Sequence, residues 1–224
     1  MTGTIALPLA LPVRFSRNMT VLRERERLVL VNSVRLDDAG LEALAKLGRV
    51  TDVIRLAGFH GADDAFYRDR FGAKVWAIDG QRYTRGFAVD GEPYFEADVA
   101  AQASTALPVS GASLYLFSTH PPEALLVLDR DGGIVIAGDA LQNMGSTDEF
   151  FSFFARPMMR LMGFIKPHNV GPGWLKQAKP TKERLLGVLD LDFGVVLPAH
   201  GAPVLTNAKA LYRPAIERAA SLAG

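Results

Sequence analysis

The sequence predicts an α/β protein arranged as an αββα four-layer sandwich, two sheets face to face with helices outside, in a single domain over residues 1–224. Two observations lead there. Strand-like apolar runs alternate with helix-like segments, and the pattern falls into two halves, each with several strands followed by helices. A chain of 224 residues is also long enough to bury one sizeable core.

The elements follow in order. The apolar stretch from Ile5 to Val13, interrupted by Pro8 and Pro12, reads as an extended first strand. Runs 19–22 and 28–31 flank the sign-alternating turn Arg23-Glu24-Arg25-Glu26-Arg27 and predict a hairpin. Asp37 is placed as the N-cap of a helix whose apolar stripe is Leu41, Leu44 and Leu47 and which Gly48 ends. A strand over 50–56 comes next, then a loop carrying His60, a short helix opened by Asp63 or Asp64 and ended by Gly72, and a strand over 74–78.

Residues 83–95 read as β structure with turn signals at Gly86, Gly91 and Pro93, and 114–117 as a strand that ends at Ser118-Thr119-His120. Strands over 124–128 and 134–137 flank Asp129-Arg130-Asp131-Gly132-Gly133, a strong hairpin signal. Helices are expected over 148–164, 181–189 and 207–223, with a last strand over 195–197. Segment 150–165 is rich in Phe and Met. It reads as a packing helix bent at Pro157, with an apolar wall over a site or a homodimer contact as the other roles open to it. Arg156, Arg160 and Lys166 nearby read as solvated, with an anionic group as the alternative contact.

Composition removes whole classes of function. The formal charge is +1 and no basic face is clustered, so no nucleic-acid partner is expected. No run reaches the roughly 20 apolar residues of a membrane span. The proline-broken N-terminal stretch lacks the basic start of a secretory signal, so no membrane partner and a cytoplasmic location are expected. The absence of cysteine excludes disulfides, thiolate ligands, iron–sulfur clusters and cysteine nucleophiles. There is no Gly-x-Ser-x-Gly elbow, no phosphate loop and no Gly-x-Gly-x-x-Gly turn.

What remains is a set of imidazoles and carboxylates at strand ends. Asp139 follows Ile134-Val135-Ile136-Ala137-Gly138, and His200 follows Val195-Val196-Leu197-Pro198-Ala199. His120 and His60 also follow apolar runs. Side chains there point into the crevice where α/β folds do their chemistry. Each has an ordinary alternative. Asp139 suits an Asx-turn, His60 a position ahead of a helix capped by Asp63 or Asp64, and His120 and His200 suit turns. His168 reads as a loop residue.

Three segments together resemble the metallo-β-lactamase superfamily, over about residues 19–204. Ser118-Thr119-His120-Pro121-Pro122-Glu123-Ala124-Leu125 resembles that family's Gly-His-Thr-x-Gly-Ser segment, Ile136-Ala137-Gly138-Asp139-Ala140-Leu141 its Gly-Asp segment, and Leu197-Pro198-Ala199-His200-Gly201 its Pro-x-His-Gly segment. The family's His-x-His-x-Asp-His motif is degenerate here, as Gly58-Phe59-His60-Gly61-Ala62-Asp63-Asp64-Ala65. With His60 on the first histidine, Asp64 falls on the aspartate while Ala62 and Ala65 replace histidines; with His60 on the second histidine, Ala62 falls on the aspartate and Asp63 on the last histidine. The first register retains two ligand types and is preferred.

The resemblance implies a metal site of His60, Asp64, His120, Asp139 and His200 for a divalent ion, zinc foremost, with iron or manganese suited to the extra carboxylate. It gives catalytic roles to Asp139, which bridges metals in the family, and to Asp64, which would orient water or take its proton. The implied activity is hydrolysis of a small-molecule ester, amide, lactone, thioester or phosphoester by metal-bound hydroxide. A binding or regulatory protein with a decayed site, and an iron-dependent oxidoreductase, are the alternatives on the same fold.

Overall fold

A computed structural model describes residues 1–7, 13–85 and 89–223. Part of the expected first strand, at 8–12, and the turn signal at Gly86 lie outside the described residues. Strand β1 (Thr2–Leu7) pairs antiparallel with β2 (Val13–Asn18), a second strand that the sequence reading did not anticipate. β3 (Thr20–Glu24) and β4 (Arg27–Val31) form the expected hairpin. Helix α1 (Asp38–Leu47), β5 (Arg49–Arg55), α2 (Asp64–Phe71), β6 (Lys74–Ile78) and β7 (Val99–Ala101) follow. The first sheet runs β3-β4-β5-β6-β7, parallel from β4 onward.

The second half supplies β8 (Ala112–Leu116), β9 (Ala124–Leu128), β10 (Ile134–Ala137), the short β11 (Leu141–Gln142), helix α3 (Ala155–Leu161) and the short β12 (Asn169–Val170). Helices α4 (Pro172–Ala178) and α5 (Lys182–Leu186), a 3-10 turn at Gly187–Asp190, β13 (Val195–Pro198) and α6 (Ala208–Leu222) complete it. The second sheet runs β13-β10-β9-β8, so β10 and β13 are parallel neighbours although far apart in sequence.

The strand pleat sorts residues into the four layers, because alternate side chains leave a strand on opposite faces. From the first sheet, Val29, Val31, Ile54, Trp76 and Ile78 meet Leu114, Leu126, Leu128 and Ile136 of the second in the central core. Their neighbours Leu28, Leu30, Val53, Val75 and Ala77 turn outward and pack on Leu41, Leu44 and Tyr67 of α1 and α2. On the far side, Leu125, Val135 and Ala137 pack on Trp174, Leu185, Tyr212 and Ile216 of α4, α5 and α6. This is the αββα sandwich that the alternating pattern predicts.

Two helix ends follow their capping chemistry, whereas Asp63 at the start of α2 makes no side-chain cap bond and pairs with Arg17 instead. The Asp37 carboxylate accepts the Gly40 N–H at 2.8 Å, and Gly72 closes α2 in the left-handed region at φ 65°, a conformation without penalty only for glycine. Two expectations are corrected. Among the described residues of 83–95, an antiparallel bridge from Tyr83 to Phe95 stands in place of the expected strands. The helix expected over 148–164 is confined to α3, because residues 150–154 form turns instead. There the Ser152 N–H donates to the Arg14 carbonyl of β2 at 3.0 Å, and the Arg14 N–H to the Ser152 hydroxyl at 3.1 Å. Helix α4 and strand β7 were not anticipated. Around α3, Phe151, Ala155 and Met159 are buried with Phe15 and Met144, while Phe153 and Leu161 face solvent. No helix among the described residues is long and apolar enough to cross a membrane.

Candidate metal centre

The parallel pairing of β10 with β13 sets two of the candidate ligands side by side. Ala137 is in register with Pro198, and the Ala199 N–H donates to the Ala137 carbonyl at 2.9 Å. Asp139 and His200 therefore leave adjacent strands at the same end, where neighbouring strands lie about 4.8 Å apart. His60 arrives from the other sheet, on the loop after β5. Gly138 permits this approach, because a Cβ there would stand 2.3 Å from the Ala57 Cβ. Asn32 stitches the two sheets at the same level: its side-chain amide donates to the Ala137 carbonyl at 3.3 Å and its carbonyl accepts the Leu56 N–H at 3.0 Å.

His60, Asp139 and His200 converge, each offering one ligand atom within 4.8 Å of the others. His60 Nε2 lies 3.2 Å from His200 Nε2 and 3.5 Å from Asp139 Oδ2, and His200 Nε2 lies 3.1 Å from Asp139 Oδ1. The edge of a tetrahedron built on zinc–nitrogen bonds of 2.0–2.1 Å is roughly 3.3 Å. The separations fit a divalent ion. The side chains are 2%, 14% and 4% exposed for His60, Asp139 and His200, so the group is nearly sealed.

Hydrogen bonding argues the same way. His200 Nδ1 sits 3.2 Å from the Ser16 carbonyl, which can only accept, so Nδ1 carries the proton and the Nε2 lone pair faces the group. That lone pair confronts His60 Nε2, and a proton or a metal ion is needed between the two nitrogens. Asp139 Oδ2 is buried with no hydrogen-bond partner, as are His60 Nδ1 and Glu123 Oε2. Buried polar atoms without partners are uncommon and call for something the chain itself does not supply.

The structure does not bring Asp64 or His120 into this group. Asp64 is fully buried, but its Oδ1 accepts the Ser33 hydroxyl at 2.6 Å and its Oδ2 the Tyr83 hydroxyl at 2.7 Å. Each oxygen accepts one hydroxyl, and Asp64 stands outside the group whose atoms could share one ion. His120 points away: its side chain is 64% exposed and its Nε2 meets Asp90 at 2.9 Å. The prolines of that segment take the inward place. Pro121 lies against Gly58, where a Cβ would come within 2.4 Å, and the Pro122 carbonyl accepts the Gln81 side-chain amide at 2.8 Å. His168 is partly buried and meets the Tyr212 ring edge-on at 5.7 Å.

Two residues of the site escaped the sequence reading. Glu123 is buried, and its Oε1 accepts the Ala140 N–H at 2.6 Å, which holds the turn that carries Asp139. Its place immediately before an apolar strand was a usable signal. Arg17 of β2 is also buried and pairs with Asp63 at 2.6 Å. Nothing in the sequence of β2 marks that arginine as an inward one. Phe15 of the same strand lies tilted beside the His200 ring, with centroids 5.7 Å apart, and beside Phe151, 6.2 Å apart.

The electrostatics separate the carboxylates. Burial raises the Asp139 carboxyl, but the adjacent His60 and His200 outweigh it and hold the group well below the usual carboxylate range. Burial, then the Asp139 charge, pushes Glu123 well above its ordinary 4.5. Burial lowers His60 from 6.5 to about 4, with Asp139 opposing in part. In metal-free protein these two shifts act oppositely on stability. Unfolded His60 binds a proton below pH 6.5 and the folded residue only below about 4, so its contribution is complete above pH 6.5 and is lost on acidification toward 4. At full extent it is about 3 kcal/mol. Unfolded Glu123 ionises above 4.5 while the folded residue stays protonated, so its burial costs stability as pH rises. Relative to wild type between pH 4.5 and 6.5, His60→Gln should lose stability with rising pH and Glu123→Gln should gain it. Urea denaturation of chelator-treated protein at the two pH values measures both slopes; parallel profiles for all three proteins would refute the assignment.

No protein-family model matches the chain, and no curated protein matches it in sequence. Solved structures do. The metallo-β-lactamase VMB-1 superposes with a TM-score of 0.64 at 14% identity, covering 100% of this chain and 92% of that one. The metallo-β-lactamase DIM-1 gives 0.61 at 13% identity, covering 99% and 98%. The metallo-β-lactamase FIM-1 from Pseudomonas aeruginosa, in its mono-zinc form, gives 0.60 at 13% identity, covering 98% and 90%. At that identity the likeness is one of architecture: the chain has the metallo-β-lactamase fold.

Proposed function

We propose that this protein is a metal-dependent hydrolase of a small-molecule ester, amide, lactone, thioester or phosphoester, with His60, Asp139 and His200 as its metal ligands. The observation that carries the reading is the pair of facing imidazole nitrogens, 3.2 Å apart, beside an unpartnered Asp139 oxygen. Two neutral nitrogens and one carboxylate suit zinc, and equally a 2-His-1-carboxylate iron site. A bound divalent ion supplies Lewis acidity and lowers the pKa of a coordinated water to about 7.

The protein's own residues do the rest. Asp139 offsets the charge of the ion, and the Ser16 carbonyl keeps His200 in the tautomer that presents Nε2. Glu123 fixes the Asp139 turn through the Ala140 N–H. Phe15 shields one side of His200 from water. Asp64 is given no part in proton transfer in this scheme, since it lies outside the three-residue group and is held by Ser33 and Tyr83.

Elemental analysis of protein purified without chelator, combined with turnover of p-nitrophenyl acetate, a lactone and bis-p-nitrophenyl phosphate, tests the reading. About one metal ion per chain is expected, given a single three-ligand group. Turnover of at least one substrate should be abolished by chelation and restored by zinc, iron or manganese. A protein that takes up none of these metals refutes it. One observation favours a second reading, a binding protein on the same fold: the ligand side chains are at most 14% exposed. Bound metal without turnover of any tested substrate class supports that reading instead.

A further inference from the structure

We propose that Arg17 is an anion subsite beside the metal centre, which receives a carboxylate or phosphate group of the substrate. The proposal rests on the metal-site reading above and adds the charge class of the substrate to it. The Arg17 side chain is 2% exposed, and only Nη2 is engaged, by Asp63 Oδ2 at 2.6 Å. Nε and Nη1 are buried donors with no partner in the protein. A buried guanidinium usually has its donors filled, and its planar fork matches a carboxylate or phosphate in bidentate fashion. The other buried arginine of this region shows the contrast. Arg55 engages all three of its nitrogens, Nε, Nη1 and Nη2, with the carbonyls of Ala57, Arg82 and Gly58.

The position is also specific. Arg17 follows Ser16, whose carbonyl orients His200, and its partner Asp63 is three residues beyond His60. Its positive charge acts on His60 and on Asp64. Asp63, itself 24% exposed, holds the guanidinium and also accepts the Arg35 N–H at 3.0 Å, so the arginine is fixed before any ligand arrives.

The test is a calorimetric titration with inorganic phosphate and, separately, with acetate, on wild type, Arg17→Gln and Arg17→Lys, each in metal-loaded and chelator-treated form. The metal content of every sample is determined alongside. Phosphate, acetate or both should bind wild type, and Arg17→Gln should weaken that binding at least about tenfold with metal content unchanged, the loss expected for removing a charge-assisted pair. Arg17→Lys should fall between, because it keeps the charge and loses the fork. The anion that responds identifies the substrate group. Binding of equal strength in wild type and Arg17→Gln, or no binding of either anion to either form of wild type, overturns the proposal. If Arg17→Gln does not fold, wild-type affinity in Arg17→Lys overturns it in the same way. Absence of metal from wild type would sink the hydrolase reading alone, because the chelator-treated titrations still decide the role of Arg17.

Discussion

Asp139→Ala is expected to bind less than a tenth of the divalent metal that wild type binds, and to lose at least about 100-fold in any metal-dependent hydrolysis. Loss of an outer-shell partner already costs about 10–100-fold in metal affinity or activity, and a direct ligand carries more. Asp139 is the sole carboxylate of the three-residue group, and its two oxygens face His60 at 3.5 Å and His200 at 3.1 Å. Without it, a divalent ion would meet two neutral nitrogens in a nearly sealed site with no anionic charge in contact. Asp139→Asn separates the contributions, because it keeps the shape and hydrogen-bonding reach while removing the charge. It should retain the fold and still lose most of the metal. Elemental analysis and zinc titration of both variants, with circular dichroism as the check on folding, give the answer. Full metal content in Asp139→Ala would mean that the ion sits elsewhere.

Much of this architecture can be read from the residues, because the physics that builds it is local. Val29 and Val31 face one core while Leu28 and Leu30 face another, a direct consequence of the pleat. The Asp37 cap and the Gly72 stop depend on backbone groups within four residues. Asp139 and His200 were legible as strand-end residues, but their meeting is a matter of sheet order: β10 pairs with β13 across an intervening stretch of turns and helices. The placement of His120 was not legible. Its segment has the right position after a strand, yet it is Pro121 and Pro122 that pack inward. The N-terminal hairpin was harder still. Arg17 is buried with a single polar partner, Asp63, 46 positions away, and no periodicity in β2 encodes that. The aromatic run at 150–154 failed as a helix because β2 offers its backbone other hydrogen bonds.

The same dependence on tertiary contacts makes Gly201→Ala the largest stability change expected at the site. Gly201 has φ 90°, and a Cβ there would stand 2.0 Å from the Asn143 oxygen, 2.2 Å from its carbonyl carbon and 2.6 Å from the Met144 nitrogen. All three are backbone atoms, which cannot rotate aside. The segments are stitched by hydrogen bonds from Asn143 N–H to the His200 carbonyl at 2.9 Å and from Ala202 N–H to the Asn143 carbonyl at 3.0 Å. A left-handed conformation costs a residue with a Cβ about 1–2 kcal/mol, and forced overpacking about 1–3 more. The sum is about 2–5 kcal/mol, and the displaced strand end carries His200, so metal affinity should fall as well. Gly132→Ala is the matched control. Gly132 has φ 77° with nothing within 4 Å of an added Cβ, so it should lose only the conformational share and bind metal normally. Urea denaturation and zinc titration of the two variants decide between strain and contact: equal losses of stability in both, with metal affinity intact, would show that the Asn143 contact does not hold His200 in place.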